Sequence, residues 1–478
     1  MASVASLRAL KAMPGPGPLF MFTAGKRIAE MLIDEGTRHS RLFRLDMGPQ
    51  KCVVVTHPTL AREVITRPSD FPKLTPPPTI AGVLDKDHKG ENQNIVLANG
   101  AKWQRLQKPV APAFEGKTVQ QLVPIFNTVS EALVQKWAAQ QSGIVDVKTD
   151  MSAFALDVLG AAVLGKDFGA LTGEFQDTYD HYKYVMQEQS NPLFLAFPFL
   201  ERVSFLPRNK KLTASVRHMR EVLQSAVDAR LSERANAAQQ GRAEQPPRDM
   251  LDLVLGPGDG SNEAVDLNTV APLLWVFFIA GHDTTAIALT WMVHHLAANP
   301  DMQEKARAEV LEVLKGSDNP TAAQLEKASL PYISALVKEN LRLRPPVYNL
   351  MTRAAKEDTH LDGYLIPKGT MISIHIGAVN RHPDVYDDPD LFDPERFLNG
   401  NRMRVFENMP FSAGPRRCLG DQFSLLEQRS LLVKLLSKVE LLPAKNANDD
   451  GGEVSLAGDS IPMVLGQPDS MHVRVRAL

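Results

Sequence analysis

A rare cysteine lies in a segment whose composition suits a bound sulfur. The chain has two cysteines among 478 residues. One of them, Cys418, follows Arg416 and Arg417 and lies between Gly414 and Gly420. Glycines allow a loop to turn its N–H groups inward around a sulfur, and arginines and a helix N-terminus favour the thiolate. The segment therefore predicts a loop that holds a thiolate.

The segment alone leaves the chemistry of this thiolate open. A lone cysteine is more often a small buried hydrophobe, and that interpretation fits Cys52, which begins the apolar run CVVV. For Cys418, a zinc or iron–sulfur site is disfavoured because no second cysteine lies near it. A metal ligand of another kind and a hydrolytic nucleophile both remain.

Three further segments could carry chemistry. Glu339 and Arg342 are three residues apart on a predicted helix and share one face, although alone such a pair is usually a surface salt bridge worth about 0–1 kcal/mol. Pro394-Glu-Arg396-Phe397 supplies another arginine. Ala280-Gly281-His282-Asp283-Thr284-Thr285 lies in a long apolar helix, where by itself it could also reflect crowded packing.

Together the four segments resemble the motifs of the haem-thiolate monooxygenases, the cytochrome P450 family. Residues 411–420, FSAGPRRCLG, are similar to F-x-x-G-x-R-x-C-x-G. Residues 339–342 are similar to E-x-x-R, and residues 280–285 to the A/G-G-x-D/E-T-T/S motif of the oxygen-binding helix. The resemblance implies a mainly α fold with small β-sheets. In it, haem lies between a long central helix and the loop and helix that carry the cysteine ligand.

The resemblance also implies roles on the proximal side of a haem b cofactor. Cys418 is expected to be the axial ligand of the iron, where thiolate donation favours O–O cleavage. The residues expected to form the loop around it are Phe411, Gly414, Arg416 and Gly420. A buried ion network is expected behind the haem from Glu339, Arg342 and Arg396.

The haem propionates need cations, and here the sequence departs from the family. Members often carry W-x-x-x-R on an early helix, but Gln107 stands four residues after Trp103. Lys108 is adjacent, although one residue turns a helix by about 100°. Arg353 and Arg416 are therefore the stronger candidates.

On the distal side, the resemblance implies three roles. Gly281 is expected to leave room for haem and O₂. Thr284 is expected to bond back to a helix carbonyl and open a groove, and Asp283 to pass protons toward it. The apolar walls of a substrate pocket are expected from Phe277, Ala280, Val347 and Leu350, with its mouth at residues 69–98 and 191–207.

The implied activity is insertion of one atom of O₂ into an apolar substrate of the fatty acid, terpene, steroid or polyketide class, by hydroxylation or epoxidation. Electrons are expected from a separate ferredoxin, flavodoxin or flavin reductase. A peroxide-driven haem oxygenase and a non-catalytic haem sensor or carrier are the alternatives. The acid–alcohol pair Asp283–Thr284 favours the O₂-dependent enzyme, and the apolar loop at 191–207 argues against a carrier.

The elements that must position these residues are mostly helical. Strands are predicted at 41–48 and 52–57, paired across Gly48-Pro49, within 360–376, and within 453–478. A single haem domain is expected over 1–478, with a β-rich part at about 20–70, a helical part at about 100–345 and the cysteine region at 394–440. The predicted helices cover residues 24–36, 58–66, 117–140, 150–165, 174–190, 209–239, 268–298, 300–315, 322–328, 331–343 and 419–438.

Composition limits the class of protein. Hydrophobic residues make up 44% and charged residues 23%, as in globular chains. The net charge of −2 argues against nucleic acid as a partner. The first 20 residues contain no apolar run of the length that a signal or a membrane anchor needs, and two cysteines fit a reducing compartment. The sequence thus predicts a soluble, cytoplasmic protein without a membrane anchor.

Overall fold

The structure is a computed structural model. The residues that it describes are 10, 12–17, 20, 28–39, 41–47, 50–74, 95–140, 143–188, 191, 193–194, 197–240, 249–255, 267–398, 404–444, 465–466, 468 and 470–478.

Helices dominate these described residues. In chain order they are α1 (Ile28–His39), α2 (Pro58–Thr66), α3 (Gly100–Gln107), α4 (Gly116–Gln120), α5 (Val123–Ala138), α6 (Val147–Leu159), α7 (Gln176–Glu188), α8 (Pro207–Gln239), α9 (Met250–Leu255), α10 (Leu267–Ala298), α11 (Pro300–Leu314), α12 (Pro331–Leu343), α13 (Ile376–Val379) and α14 (Asp421–Lys438). Short 3₁₀ turns occupy Ala111–Phe114, Pro198–Arg202, Pro394–Phe397 and Gly414–Arg416, and a π turn, Gly160–Leu164, extends α6.

The strands form three small sheets. They are β1 (Leu42–Met47), β2 (Gln50–Val55), β3 (Ile144–Asp146), β4 (Arg353–Ala354), β5 (Thr359–Leu361), β6 (Tyr364–Ile366), β7 (Met371–Ile374), β8 (Val439–Pro443) and β9 (His472–Ala477). The sheet orders are β1-β2-β7-β4, β3-β9-β8 and β5-β6. The predicted fold class, mainly α with small sheets, is confirmed.

The predicted β-hairpin is present in the first sheet. β1 and β2 pair antiparallel, and β2 then pairs parallel with β7. Residues 48–49, the predicted turn, lie outside the described residues. The β5–β6 hairpin turns through Asp362 (φ 52°) and Gly363 (φ 81°), two left-handed residues that a two-residue hairpin loop of type I′ requires.

Helix ends follow local signals where the prediction succeeded. α2 and α12 match the predicted bounds, and each begins at a proline, which fits the first helical turn. The predicted helix at 117–140 is divided into α4 and α5, with Pro124 in the first turn of α5. α6 begins earlier than predicted because Asp146 caps it by accepting a hydrogen bond from Thr149 N (3.2 Å).

One predicted helix is wrong. Residues 322–328 form a series of turns. The Thr321 side chain binds Gln324 Oε1 (3.0 Å), and Ser329 Oγ donates to Ala323 O (2.9 Å). Such side-chain bonds compete with helical ones, and a segment of seven residues is too short to overcome the cost of helix nucleation.

The long helix α10 lies at the centre of the main core. It packs against α6 and α12, and α14 packs against α5. Its residues Trp275, Phe278 and Trp291 are at most 4% exposed, as expected for a helix that is apolar on all faces. α10 also meets α14 directly, where Thr285 Oγ1 lies 3.0 Å from Ser424 Oγ.

Candidate active site

The cysteine loop precedes α14 and is held by the backbone. Cys418 N donates to Phe411 O at 3.0 Å, which closes the segment into a loop. Gly414 has φ +68°, and a Cβ there would lie 2.9 Å from Cγ2 of Ile65 in α2. A side chain at position 414 is thus excluded both by the backbone conformation and by packing. Cys418 itself is exposed.

The groups around the Cys418 sulfur act on the pKa of its thiol in both directions. The protein that surrounds the cleft raises the pKa of the Cys418 thiol, although the residue is solvent-accessible, and the N–H of Gly420 lowers it. Arg417 helps little because it pairs with Asp421, whose charge raises the pKa further.

Arg416 belongs to a second feature, a group of cations beside Trp103. Its guanidinium donates to Ala98 O at 2.7 Å and Val96 O at 3.0 Å, and its Cζ lies 4.8 Å from the centre of the Trp103 ring. The predicted role of Arg416 beside the sulfur is therefore corrected. The guanidinium is turned toward the segment that precedes α3.

Lys73 and Arg353 complete this cation group. The two residues are paired through an antiparallel bridge, Lys73 Nζ donates to Val96 O (2.8 Å), and Arg353 donates to Phe71 O (2.8 Å). Burial and the charges of Arg416 and Arg353 lower the pKa of Lys73 to about 7. These cations repel one another, and a bound anion would offset that repulsion and favour their charged forms.

An anion of two carboxylates fits this cation group. Among the described residues, no acidic side chain forms an ion pair with Lys73, Arg353 or Arg416. Lys108 is exposed and takes no part in the described contacts of the group. Lys73 was missed because nothing in its local sequence distinguishes it from a solvated lysine.

The predicted ion network behind the cysteine region is present. Glu339 and Arg342 are fully buried, with Arg342 Nε 2.7 Å from Glu339 Oε2. Glu339 Oε1 also accepts from Asp393 N (2.9 Å) and lies 3.6 Å from Arg396 Nε. The remaining donors of Arg342 reach the carbonyls of Asn380, Pro389 and Leu391. The network thus joins α12 to the segment that leads into the cysteine loop.

The opposite wall is α10. Its residues Val276, Phe277 and Phe278 are buried, but Ala280 is exposed. Thr284 Oγ1 donates to Ala280 O at 2.8 Å, which is the side-chain-to-backbone bond that the sequence predicted. Such bonds often bend a helix and weaken its backbone hydrogen bonds locally. An exposed alanine followed by such a bond indicates that this turn of α10 faces a cleft.

Gly281 has a different role from the predicted one. A Cβ at this position would lie 2.4 Å from Cδ1 of Leu159 in α6. The glycine therefore permits close packing of α6 on α10, and the predicted clearance for haem and O₂ is corrected.

Asp283 is held by two aromatic neighbours. Tyr182 OH, on α7, donates to Asp283 Oδ2 at 2.5 Å, and His282 Nε2 lies 3.0 Å from Asp283 Oδ1. Burial alone would raise the pKa of the Asp283 carboxyl, but His282 and Tyr182 hold it below its usual range. His282 is fully buried, and its Nδ1 lies 2.9 Å from Phe278 O. It is therefore not directed at the cleft.

The two walls belong to one cleft. Phe114 packs edge-on against Phe277 of α10, with ring centres 5.1 Å apart, and its Cε1 lies 3.9 Å from where a Cβ of Gly420 would be. Phe114 thus contacts both the distal helix and the cysteine loop. Together with the Thr285–Ser424 junction, it holds α10 close to the loop on which Cys418 is exposed.

These residues fit haem b. The accessible Cys418 thiol would hold the iron, the group of three cations would hold the two propionates, and the nearby turn of α10 presents the apolar Ala280. A family model, described as cytochrome P450, matches residues 10–454. The chain belongs to the cytochrome P450 family. Its cofactor is haem b, and its activity is that of a haem-thiolate monooxygenase, an oxidoreductase that uses O₂ and an external electron donor.

Curated relatives agree over most of the chain. Cytochrome P450 97B2, chloroplastic, of Glycine max is 28% identical over 466 residues, which cover 87% of this chain and 78% of that protein. Cytochrome P450 4F12 of Homo sapiens is 29% identical over 422 residues, covering 85% of this chain and 78% of the relative. Cytochrome P450 4F5 of Rattus norvegicus is 29% identical over 366 residues, covering 73% and 68%.

The structure divides the predicted pocket residues of this P450 between two apolar clusters. Phe277 and Val347 pack with the main core. Leu350 packs instead against a smaller cluster that includes Ile65, Phe71 and Met409. Most of the predicted mouth at 69–98 lies outside the described residues. Among the described residues of 191–207, Leu193, Phe197, Phe199 and Phe205 are exposed apolar side chains.

A separate groove of about 930 Å³ lies between α5 and residues 319–322. None of its lining residues belongs to the haem cleft. Part of α10, Leu273–Ala298, is long and apolar enough to cross a membrane, but 72% of its most apolar window is buried. A core helix of a soluble protein has the same properties, so this finding is weak support for a membrane span.

A buried acid lies behind the cysteine loop, where sequence reasoning gave no signal for it. Glu427 on α14 is 1% exposed, and burial raises the pKa of its carboxyl well above the ordinary value of 4.5, which Thr285 offsets only in part. The acid is therefore neutral in the folded protein at pH values where the unfolded chain ionises it.

Glu427→Gln is expected to stabilise the protein at neutral and higher pH. Below pH 4.5, Glu427 is protonated in both the folded and the unfolded chain, so its titration does not lower the free energy of unfolding. As the pH rises toward the raised folded pKa, the wild type loses about 1.4 kcal/mol per pH unit from this group. Unfolding temperatures measured between pH 5 and 8 should show a growing advantage of the variant. The exposed Glu357→Gln is the control, and equal pH profiles for Glu427→Gln and wild type would contradict the assignment.

Proposed function

We propose that this P450 hydroxylates or epoxidises an apolar small molecule of the fatty acid, terpene, steroid or polyketide class. The electron donor is a separate ferredoxin, flavodoxin or flavin reductase. The exposed apolar Ala280 on α10 supports an apolar substrate. A cytoplasmic location, a soluble form without a membrane anchor and a single domain over 1–478 stay predictions from the sequence.

The acid–alcohol pair on α10 carries this proposal. When bound, haem supplies the activation of O₂ and the transfer of one oxygen atom. The cleft wall itself is apolar and offers few protons. The Thr284 hydroxyl, 2.8 Å from Ala280 O, can hold a water and direct a proton by hydrogen bonding. Asp283 is the neighbouring group that can restore that proton from solvent.

The contacts that Asp283 makes with Tyr182 and His282 determine when it can pass a proton to Thr284. Tyr182 and His282 keep the carboxyl ionised, so in the resting protein it can accept a proton. Release of that proton toward Thr284 requires the carboxyl to exchange its contact with Tyr182 or His282. Asp283 and Thr284 are adjacent on the same turn, so the movement needed is a side-chain rotation.

Thr284→Ala is expected to bind haem and substrate normally but to waste electrons as hydrogen peroxide. The hydroxyl is needed to direct protons after O₂ has bound, and neither substrate affinity nor the haem spectrum depends on it. The product formed per NAD(P)H should fall by about tenfold or more, because positioned proton donors contribute about 10²–10⁴ to rates. Product, peroxide and NAD(P)H consumption are measured with one surrogate reductase for all proteins.

Thr290→Ala is the matched control. Thr290 Oγ1 donates to Ala286 O at 2.7 Å in the same helix, but Thr290 is buried in the core. The control loses the same type of bond without altering the cleft, so its coupling should equal that of wild type. Normal coupling in Thr284→Ala would assign proton delivery to another group.

A direct test separates O₂-dependent turnover from its alternatives. Candidate substrates are screened by the spin-state shift of the haem spectrum, and hits are incubated either with O₂, NAD(P)H and reductase or with hydrogen peroxide. Product in the first reaction supports the proposal. Product only with peroxide supports a peroxide-driven oxygenase, and substrate shifts without product in either reaction support a sensor or carrier.

A further inference from the structure

A group of metal-ligating side chains lies on the helix pair α7–α8, separate from the haem cleft. Asp177 and His181 are four residues apart on α7 and share one face, and His218 lies opposite them on α8. One ligand atom from each lies within 4.8 Å of the other two. We propose that these three side chains bind a divalent transition metal ion of the zinc class.

The geometry requires only small movements. The imidazole rings of His181 and His218 have centres 4.5 Å apart and are tilted by 31°, and Asp177 Oδ2 lies 3.9 Å from His218 Nε2. In a tetrahedral zinc site with bonds of about 2.0–2.1 Å, ligand atoms are about 3.3 Å apart. Asp177 is exposed, so its side chain can rotate to bring Oδ2 closer to the two rings. A water can supply the fourth ligand.

Hydroxyl groups hold both rings. His181 Nδ1 lies 2.9 Å from Ser215 Oγ, and such a contact at one nitrogen fixes the orientation of the ring for metal binding at the other. His218 Nε2 lies 2.9 Å from Thr178 Oγ1. A metal ion would take over this second contact, because the Thr178 hydroxyl is on the α7 face and can turn to water.

A second group of histidines is not suited to bind a metal ion. His57, His382 and Asp384 also approach one another. However, His57 Nδ1 accepts a hydrogen bond from Thr59 N (3.1 Å), and His382 Nδ1 accepts one from Asp384 N (3.2 Å). Each neutral ring then carries its proton on Nε2, so neither ring offers a lone pair to a metal.

The proposed metal would join α7 to α8 beside a residue of the distal site. His181 precedes Tyr182, whose hydroxyl donates to Asp283 at 2.5 Å. A metal that bridges the two helices would therefore restrain the helix that positions Tyr182. The metal site itself does not depend on the proposed oxygen insertion.

The test uses untagged, haem-loaded protein freed of metals by EDTA and dialysis, then titrated with Zn²⁺ by calorimetry and by unfolding temperature. Wild type should bind one Zn²⁺ and unfold at a higher temperature with it, because an ion that binds only the folded state stabilises it. Asp177→Asn and His218→Gln should each bind at least tenfold more weakly and lose the shift. Both positions are at the surface, and an unchanged haem spectrum verifies the fold of each variant.

His360→Gln is the matched control, since His360 is an exposed histidine on β5, and it should bind Zn²⁺ as wild type does. The proposal is overturned if wild type takes up no Zn²⁺, or if His218→Gln binds it as tightly as wild type. It is also overturned if His360→Gln weakens binding as much as His218→Gln does.

Discussion

Cys418→Ala is expected to abolish the thiolate-type absorption band of the reduced carbon monoxide complex. Cys418 is the accessible thiol on the cleft, and alanine has no atom that can bind iron. Haem content should also fall, because the bond between the protein and the iron would be lost. The cation group and the apolar wall would remain and limit that loss. The measurement is the reduced carbon monoxide difference spectrum together with the haem-to-protein ratio.

Cys52→Ala is the control for this prediction. Cys52 is 4% exposed in β2, its Sγ donates to Val53 O, and burial raises the pKa of its thiol to about 12. It has the properties of a small core residue, so its replacement should leave the spectrum intact. Loss of the thiolate band in Cys52→Ala, with its retention in Cys418→Ala, would refute the site.

Glu339→Ala and Arg342→Ala are each expected to yield protein that loses haem or precipitates. Removing one partner leaves a fully buried charge unpaired, which costs about 3–5 kcal/mol, a large share of the roughly 5–15 kcal/mol by which proteins are stable. Arg342→Ala also removes the donor that binds the backbone carbonyls of Asn380, Pro389 and Leu391. Soluble yield, haem content and unfolding temperature measure the effect.

An exposed ion pair provides the comparison. Glu357 and Lys368 lie 3.0 Å apart, and their side chains are 70% and 65% exposed. Glu357→Ala should change the free energy of unfolding by less than about 1 kcal/mol. The double variant Glu339→Ala/Arg342→Ala should lose less than the sum of the two single losses, because the residues share one network. Near-normal behaviour of both single variants would mean that the pair contributes little to the fold.

The two predictions address different parts of one arrangement. The ion network holds the polypeptide that leads into the cysteine loop, through Asp393 N and the carbonyl of Leu391. The loop then presents Cys418 to the cleft. A variant of the network should therefore lose its fold together with haem, whereas a variant of Cys418 should lose its spectrum with less damage to the fold.

Local sequence determined the parts of this P450 that depend on near neighbours. Prolines mark the start of α2 and α12, and apolar residues on all faces required α10 to be buried. Glu339 and Arg342 share a helix face because they are three residues apart. The expectation that Cys418 is the iron ligand rests on the motif around it, whose glycine spacing is a property of the chain itself.

Tertiary structure alone decided the remaining features of the site. Lys73 and Arg353 are 280 residues apart in sequence, and only the sheet brings them together beside Arg416. Tyr182 reaches Asp283 from another helix, and Leu159 occupies the space that Gly281 leaves.

The pKa values of Cys418 and Glu427 show the same limit. Arginines near a cysteine in sequence predict a thiolate, but in the folded chain Arg417 pairs with Asp421, whose charge raises the pKa of the Cys418 thiol. Desolvation depends on every segment that packs around a group. It is therefore a property of the folded chain that local spacing does not contain.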